Sequence, residues 1–158
     1  MPIPREAMDK FCLYAANGDP QAAHVLSVTA RVARLADNIA DGDSQDPQED
    51  MGRILSAVFV ELAGNSFYLE NASVIAPAML AGILGWLQGD EWSKSDNRKT
   101  RMFGFVYREA VENVAHTIAY MTGGFDHARE VMRRLHDISH ASGETFEDWE
   151  KEHGTLRA

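Results

Sequence analysis

One cysteine, Cys12, is all the thiol this chain carries, so an intrachain disulfide and a cysteine zinc site are both excluded. Basic residues are also few. Fifteen lysines and arginines stand against 24 aspartates and glutamates, a formal charge of −9. That field opposes DNA and anionic lipid unless a local basic patch intervenes. The sequence has no strand-like alternation, no Asn-Gly hairpin, no low-complexity tract and no internal repeat, so nothing in it asks for a sheet or a solenoid. No continuous apolar run reaches the roughly 20 residues of a bilayer span. The opening MPIPREAMDKFCLYAANG has an acid and two prolines where a signal peptide needs a basic start and an apolar segment. A soluble protein of the bacterial cytoplasm is the expectation, with neither membrane nor nucleic acid as partner.

What is present is a series of helix punctuation marks. Asp19-Pro20 and Asp46-Pro47 each read as an N-cap followed by a first-turn proline. The first opens a helix to about Asp41 with Val25, Val28, Thr29, Val32, Leu35, Ala36 and Ile39 on one face. The second opens a helix with Met51, Ile54, Leu55, Val58 and Leu62 as its stripe, stopped at Gly64 and Asn65. Ser73 reads as the cap of a third, with Pro77 in its first turn. Its run VIAPAMLAGILGWL has so little polar face that it belongs at the centre of the core, where Ala78, Ala81, Gly82 and Gly85 let a neighbour approach. A long helix is predicted from about Asp96 to Thr122, burying Met102, Val106, Val114, Ile118 and Met121 and ended by Gly123-Gly124. HAREVMRRLHDISH follows, then an acidic tail helix over 144–154. With 158 residues and 45% hydrophobic content, the prediction is all-α: one domain over 1–158, a bundle of six or seven helices with short loops.

Three constellations have residue types that can do chemistry. Asp37 and Asp41 are four apart on one helix, so their carboxylates share a face that could hold Mg²⁺ or Mn²⁺, with Asp43 reaching in from the turn. The string from Arg34 to Asp41 resembles the first aspartate motif of squalene and phytoene synthases, in which such a pair holds Mg²⁺ against a diphosphate. The same acids are equally explained as a solvated loop favouring the dipole of the next helix. Glu61 is the only ionisable side chain in ILSAVFVELAG and must be paired, ligated or protonated if buried. Glu109, Glu112, Asn113 and His116 form a polar stripe, with Glu112 and His116 as candidate acid and base. The stripe is loosely similar to the Glu-x-x-Glu pairs of all-α nucleotide pyrophosphohydrolases, and a structural network serves it as well. HDISH, residues 136–140, is similar to the zincin His-Glu-x-x-His, although histidines in a last helical turn are also favoured by its dipole.

Two further features concern surfaces. Lys94, Arg98, Arg101 and Arg108 share a stripe with Phe105 that suits a phosphate or an acidic partner, or simply a solvated face paired internally. Phe146 and Trp149 give the tail helix aromatic anchors for docking on the bundle or on another subunit. The layout from the Asp-rich turn through Asn65-Ser66-Phe67-Tyr68 to an apolar helix ending in Trp86 resembles small uncharacterised helical proteins of tailed bacteriophages. That resemblance implies a phage origin and no particular chemistry. Two functions therefore compete. One is a non-enzymatic, self-associating protein that needs no cofactor and acts by binding a protein partner or itself as a homo-oligomer. The other is a divalent-metal hydrolase or transferase acting on a phosphorylated small molecule, with Asp37, Asp41 and Glu61 as ligands.

Overall fold

Local capping chemistry fixes the corners of the chain. The Asp19 carboxylate accepts from the amides of Gln21 and Ala22 and starts a helix at Pro20, while Asp46 accepts from Glu49 and starts another at Pro47. Gly42, at φ 80°, ends the first of these in the left-handed conformation that glycine adopts without strain. The computed structural model describes residues 5–155, with side chains from Glu6 to Glu152. Its helices are α1 (Arg5–Ala15), α2 (Pro20–Asp41), α3 (Pro47–Ser56), α4 (Ser66–Ser93), α5 (Arg98–Tyr107), α6 (Asn113–Ser139) and α7 (Phe146–Thr155). A π-helical turn, Ala57–Leu62, prolongs α3, and a 3-10 turn, Ala110–Glu112, leads into α6. The described residues contain no strand, so the molecule is the all-α bundle expected.

The core lies among α1, α2, the π turn, the first half of α4 and α6. Phe11, Cys12, Val25, Val28, Ile75, Val114, Ile118 and Val131 meet there, each almost wholly buried. Each large apolar side chain in it contributes on the order of 2 kcal/mol. Cys12 serves as packing, and its burial, with Asp9 nearby, pushes the thiol up to about 11. The end of α1 is tied to α6 by His127, whose Nε2 donates to the Ala15 carbonyl at 3.1 Å, and by Asn17, which donates to the Thr122 carbonyl at 2.9 Å. As predicted, the chain leaves helical geometry at the glycine pair, with Gly124 at φ 80° and ψ −171° kinking α6.

Four expectations fail, each for a physical reason. The stop at Gly64 and Asn65 is as read, but Asn65 also begins the next helix in place of Ser73: it caps α4 by accepting the Tyr68 amide at 2.8 Å, so Ser73 lies inside the helix and Pro77 is an interior proline on an exposed face. The predicted stripe of α3 is largely solvent-facing, with Met51, Leu55 and Val58 exposed. The π turn is the cause at its end, because its wider winding brings Ala57 and Leu62 inward together and swings Val58, Phe59 and Val60 out. The long helix from Asp96 to Thr122 is two helices joined at Arg108–Glu112, and Met102 and Val106 point outward. No glycine or proline marks that break, which is imposed by packing against α4.

That packing also overturns the central placement of α4. Gly82, Gly85 and Gly89 form its inward face, and Leu69, Leu80, Ile83, Leu84 and Leu87 face solvent at 53–60% exposure. α5 runs antiparallel to it at very close range. A Cβ on Gly85 would stand 2.4 Å from that of Ala110, one on Gly82 would stand 2.8 Å from the Val111 Cα, and one on Gly104 would stand 2.9 Å from the Gly89 carbonyl oxygen. By length and composition α4 is apolar enough to cross a membrane. The reading that no such segment exists does not hold, since no charge falls between Glu70 and Asp90 and helicity is continuous through Asn71, Ser73 and Pro77.

Two outcomes test this packing. Gly85→Ala should destabilise the fold by about 1–3 kcal/mol through overpacking, whereas Gly52→Ala, on α3 with open space around it, should stabilise it by about 0.5–1 kcal/mol. Thermal unfolding followed by circular dichroism measures both. The Cys12 thiol should react with a disulfide reagent such as DTNB only at the rate of unfolding; fast reaction in the native protein would contradict its burial.

Candidate functional site

The acidic corner keeps its helix-end chemistry. Asp46 is a cap, Ser44 donates to Asp50 at 2.7 Å, and Glu49 and Asp50 both pair with Arg53. Asp37 accepts a hydrogen bond from the Trp86 indole at 3.1 Å, which ties α2 to α4. Glu61 lies elsewhere. The π turn delivers its carboxylate to α2 between Arg31, 2.5 Å away, and His24, 3.6 Å away. Arg31 precedes Asp37 by six residues, about 9 Å along the helix axis. Among the described residues Asp37, Asp41 and Glu61 do not form a cluster with ligand distances. His24, which had no visible companion in sequence, finds one in Glu61 through a helix register that no local signal announced.

The basic stripe is answered from within the chain. Arg98 pairs with Glu147 and Glu150, Arg101 makes a forked contact with Glu150 at 2.6 and 2.9 Å, and Arg108 reaches Glu144 at 2.7 Å. Phe146 and Trp149 pack on Phe105, with ring centroids 5.7 and 5.5 Å away, and Arg108 lies over both Phe105 and Trp149. Thr145 and Asp148 form a reciprocal capping box that starts α7. Trp149 is 2% exposed, so the tail docks on its own bundle through that aromatic anchor.

Two constellations that looked separate in sequence come together. Glu109 precedes the 3-10 turn, Glu112 is its last residue, and His140 closes α6; the ligand atoms of these three lie within 4.8 Å of one another. His140 Nε2 is 2.7 Å from Glu112 Oε1, and the His136 ring stands 5.8 Å from that of His140. Burial raises the Glu112 carboxyl above its ordinary range, against the opposing pull of His140. Arg108 and Glu112, four apart in sequence, do not pair, because the helix breaks between them. Arg108 turns to Glu109 at 3.3 Å instead. His116 is not part of this cluster; it is half-buried, and desolvation lowers its imidazole below 6.5. The exposed ridge of α4 is the other large feature, and Met102, Phe103, Val106 and Tyr107 of α5 add to the apolar surface. The sequence shows the apolar run but not which side of the helix the protein covers.

Glu61 offers a direct check on the π turn. The hydrogen bond from Arg31 holds its carboxyl below 4.5, helped by the charges of Arg31 and His24. A lowered folded value stabilises the protein above about pH 4.5, and that contribution is lost as pH falls through the folded value. Arg31→Gln should return the Glu61 titration, read by carboxyl carbon NMR, toward 4.5 and cost under about 1 kcal/mol at neutral pH, since the pair is partly solvated. An unchanged titration would show that the pair does not form in solution. No family model, curated protein or solved structure matches this chain.

Proposed function

We propose that this protein is a self-associating helical component that works by assembly, with the outer face of α4 as its contact surface and a second copy of the chain as its occupant. The observation that carries this reading is surface area. The chain exposes 9952 Å², whereas a compact monomer of this length exposes about 7,900 Å². Assigning the terminal residues outside the description their full unfolded area, about 1,100 Å², still leaves an excess of roughly 900 Å². A standard interface takes about 800 Å² from each partner.

The chemistry of the ridge favours a second copy. Leu69, Leu80, Ile83, Leu84 and Leu87 lie opposite the glycine face at helical spacing, with no charge from Asn71 to Gly89 to repel its own image across a two-fold axis. A bilayer suits α4 less well. Its other face is held by α5, whose Arg98, Lys99 and Arg101 could not follow it into hydrocarbon. A protein of charge −9 is also repelled by anionic lipid.

Sedimentation velocity at micromolar concentration should show a dimer or larger species. The association should tighten as salt rises, because screening weakens repulsion between acidic copies while the apolar contact is unaffected. Leu80→Lys should weaken it at least a hundredfold with an unchanged far-ultraviolet dichroism spectrum. A wild-type monomer at 100 µM would overturn the proposal, and flotation with lipid vesicles would reassign the ridge to a membrane.

A further inference from the structure

We infer that Glu109, Glu112, His136 and His140 form a binding site for a borderline divalent cation of the Zn²⁺, Co²⁺ or Ni²⁺ class, which fastens the end of α6 to the 3-10 turn between α5 and α6. The argument begins with spacing. In a 3-10 turn, side chains three apart eclipse, so Glu109 and Glu112 project on the same side. In an α-helix, side chains four apart share a face, so His136 and His140 do the same, with ring centroids 5.8 Å apart. The fold then sets the two pairs against each other. The ligand atoms of Glu109, Glu112 and His140 lie within 4.8 Å of one another, and the His136 ring stands beside that of His140, one rotamer change from joining them.

The donor set selects the ion. Two imidazole nitrogens with two carboxylates suit Zn²⁺, Co²⁺ and Ni²⁺, whereas Mg²⁺ and Ca²⁺ prefer oxygen throughout. The 2.7 Å contact between His140 and Glu112 opens only slightly to admit an ion about 2.0–2.1 Å from each. Side-chain exposure of 22% at Glu112, 30% at His140 and 39% at Glu109 leaves a path for entry and room for water to complete the shell. Arg108 is the local competitor. Its Nε lies 3.3 Å from Glu109 without a well-formed hydrogen bond, while its Nη2 is held by Glu144. Glu109 can therefore turn to a cation while Arg108 stays anchored on Glu144 and on the Phe105 and Trp149 rings.

This inference is independent of the α4 interface, and its test keeps the two apart. Untagged full-length protein is titrated with ZnCl₂ by calorimetry and with CoCl₂ by visible absorption, and its sedimentation is recorded before and after. One ion per chain, a Co²⁺ ligand-field spectrum, a thermal midpoint raised by several degrees and no change in association state are expected. His140→Ala and Glu112→Gln should each weaken Zn²⁺ at least tenfold, while Asp37→Asn with Asp41→Asn should leave it within twofold. Should a cluster variant fail to fold, the wild type still decides: Zn²⁺ should shift the imidazole nitrogen resonances of His136 and His140 stoichiometrically and leave those of His24 and His127 in place. Absence of a Co²⁺ spectrum, unshifted His140 resonances, binding that survives loss of both His140 and Glu112, or ions bound only between chains would each overturn it.

Discussion

The close approach of α4 and α5 is the constraint on which most of the molecule depends. At Gly82, Gly85, Gly89 and Gly104 the backbones come so near that even a methyl group would collide. Helices in contact at that distance have little room for side chains between them, so the large residues of both are displaced to the outside. The exposed leucines of α4 and the exposed Met102 and Val106 of α5 follow from it. So does the break at Arg108–Glu112, since Ala110 and Val111 must settle against Gly85 and Gly82. Because the helix breaks there, Glu109 and Glu112 leave the stripe they would have formed with His116 and meet the end of α6.

Those residues show where sequence was informative and where it was not. Caps are local: Asp19, Asp46 and Gly42 act through atoms within three or four residues, and their helices begin and end as read. The same holds for the glycine interruption at Gly124. What could not be read was anything decided by a distant partner. The apolar run of α4 is compatible with a core, an interface or a membrane. Its glycines signalled close packing but not that only one face would be covered. The π turn carries no signature at all in AVFVEL, yet it decides that Glu61 faces Arg31. The candidate site was half legible, since Glu109, Glu112 and the two histidines of HDISH were each noticed, but their convergence depends on the length and kink of α6.

The two polar assemblies of the molecule differ in what they do for it. Arg31, Glu61 and His24 form a balanced, half-exposed group that aligns the π turn on α2, and such groups add little net stability. The Glu112 group is partly buried and joins two elements: Glu112 meets His140 at 2.7 Å, and Glu109 beside it meets Arg108 at 3.3 Å, so the end of α6 is tied to the turn that precedes it.

The docking of α7 has a consequence for what the protein can recognise. Arg98 and Arg101 of α5 and Arg108 just after it form the basic stripe, and the segment from Glu144 into α7 brings Glu144, Glu147 and Glu150 to them on a tether of a few residues. A tethered acidic segment acts as an intramolecular competitor at an effective concentration of about a millimolar or more. Any phosphate or acidic peptide arriving from solution competes against that standing occupant, and its apparent affinity falls by the fraction of time α7 is undocked. The chain thus screens the cationic stripe that runs from Arg98 to Arg108 with its own acidic segment.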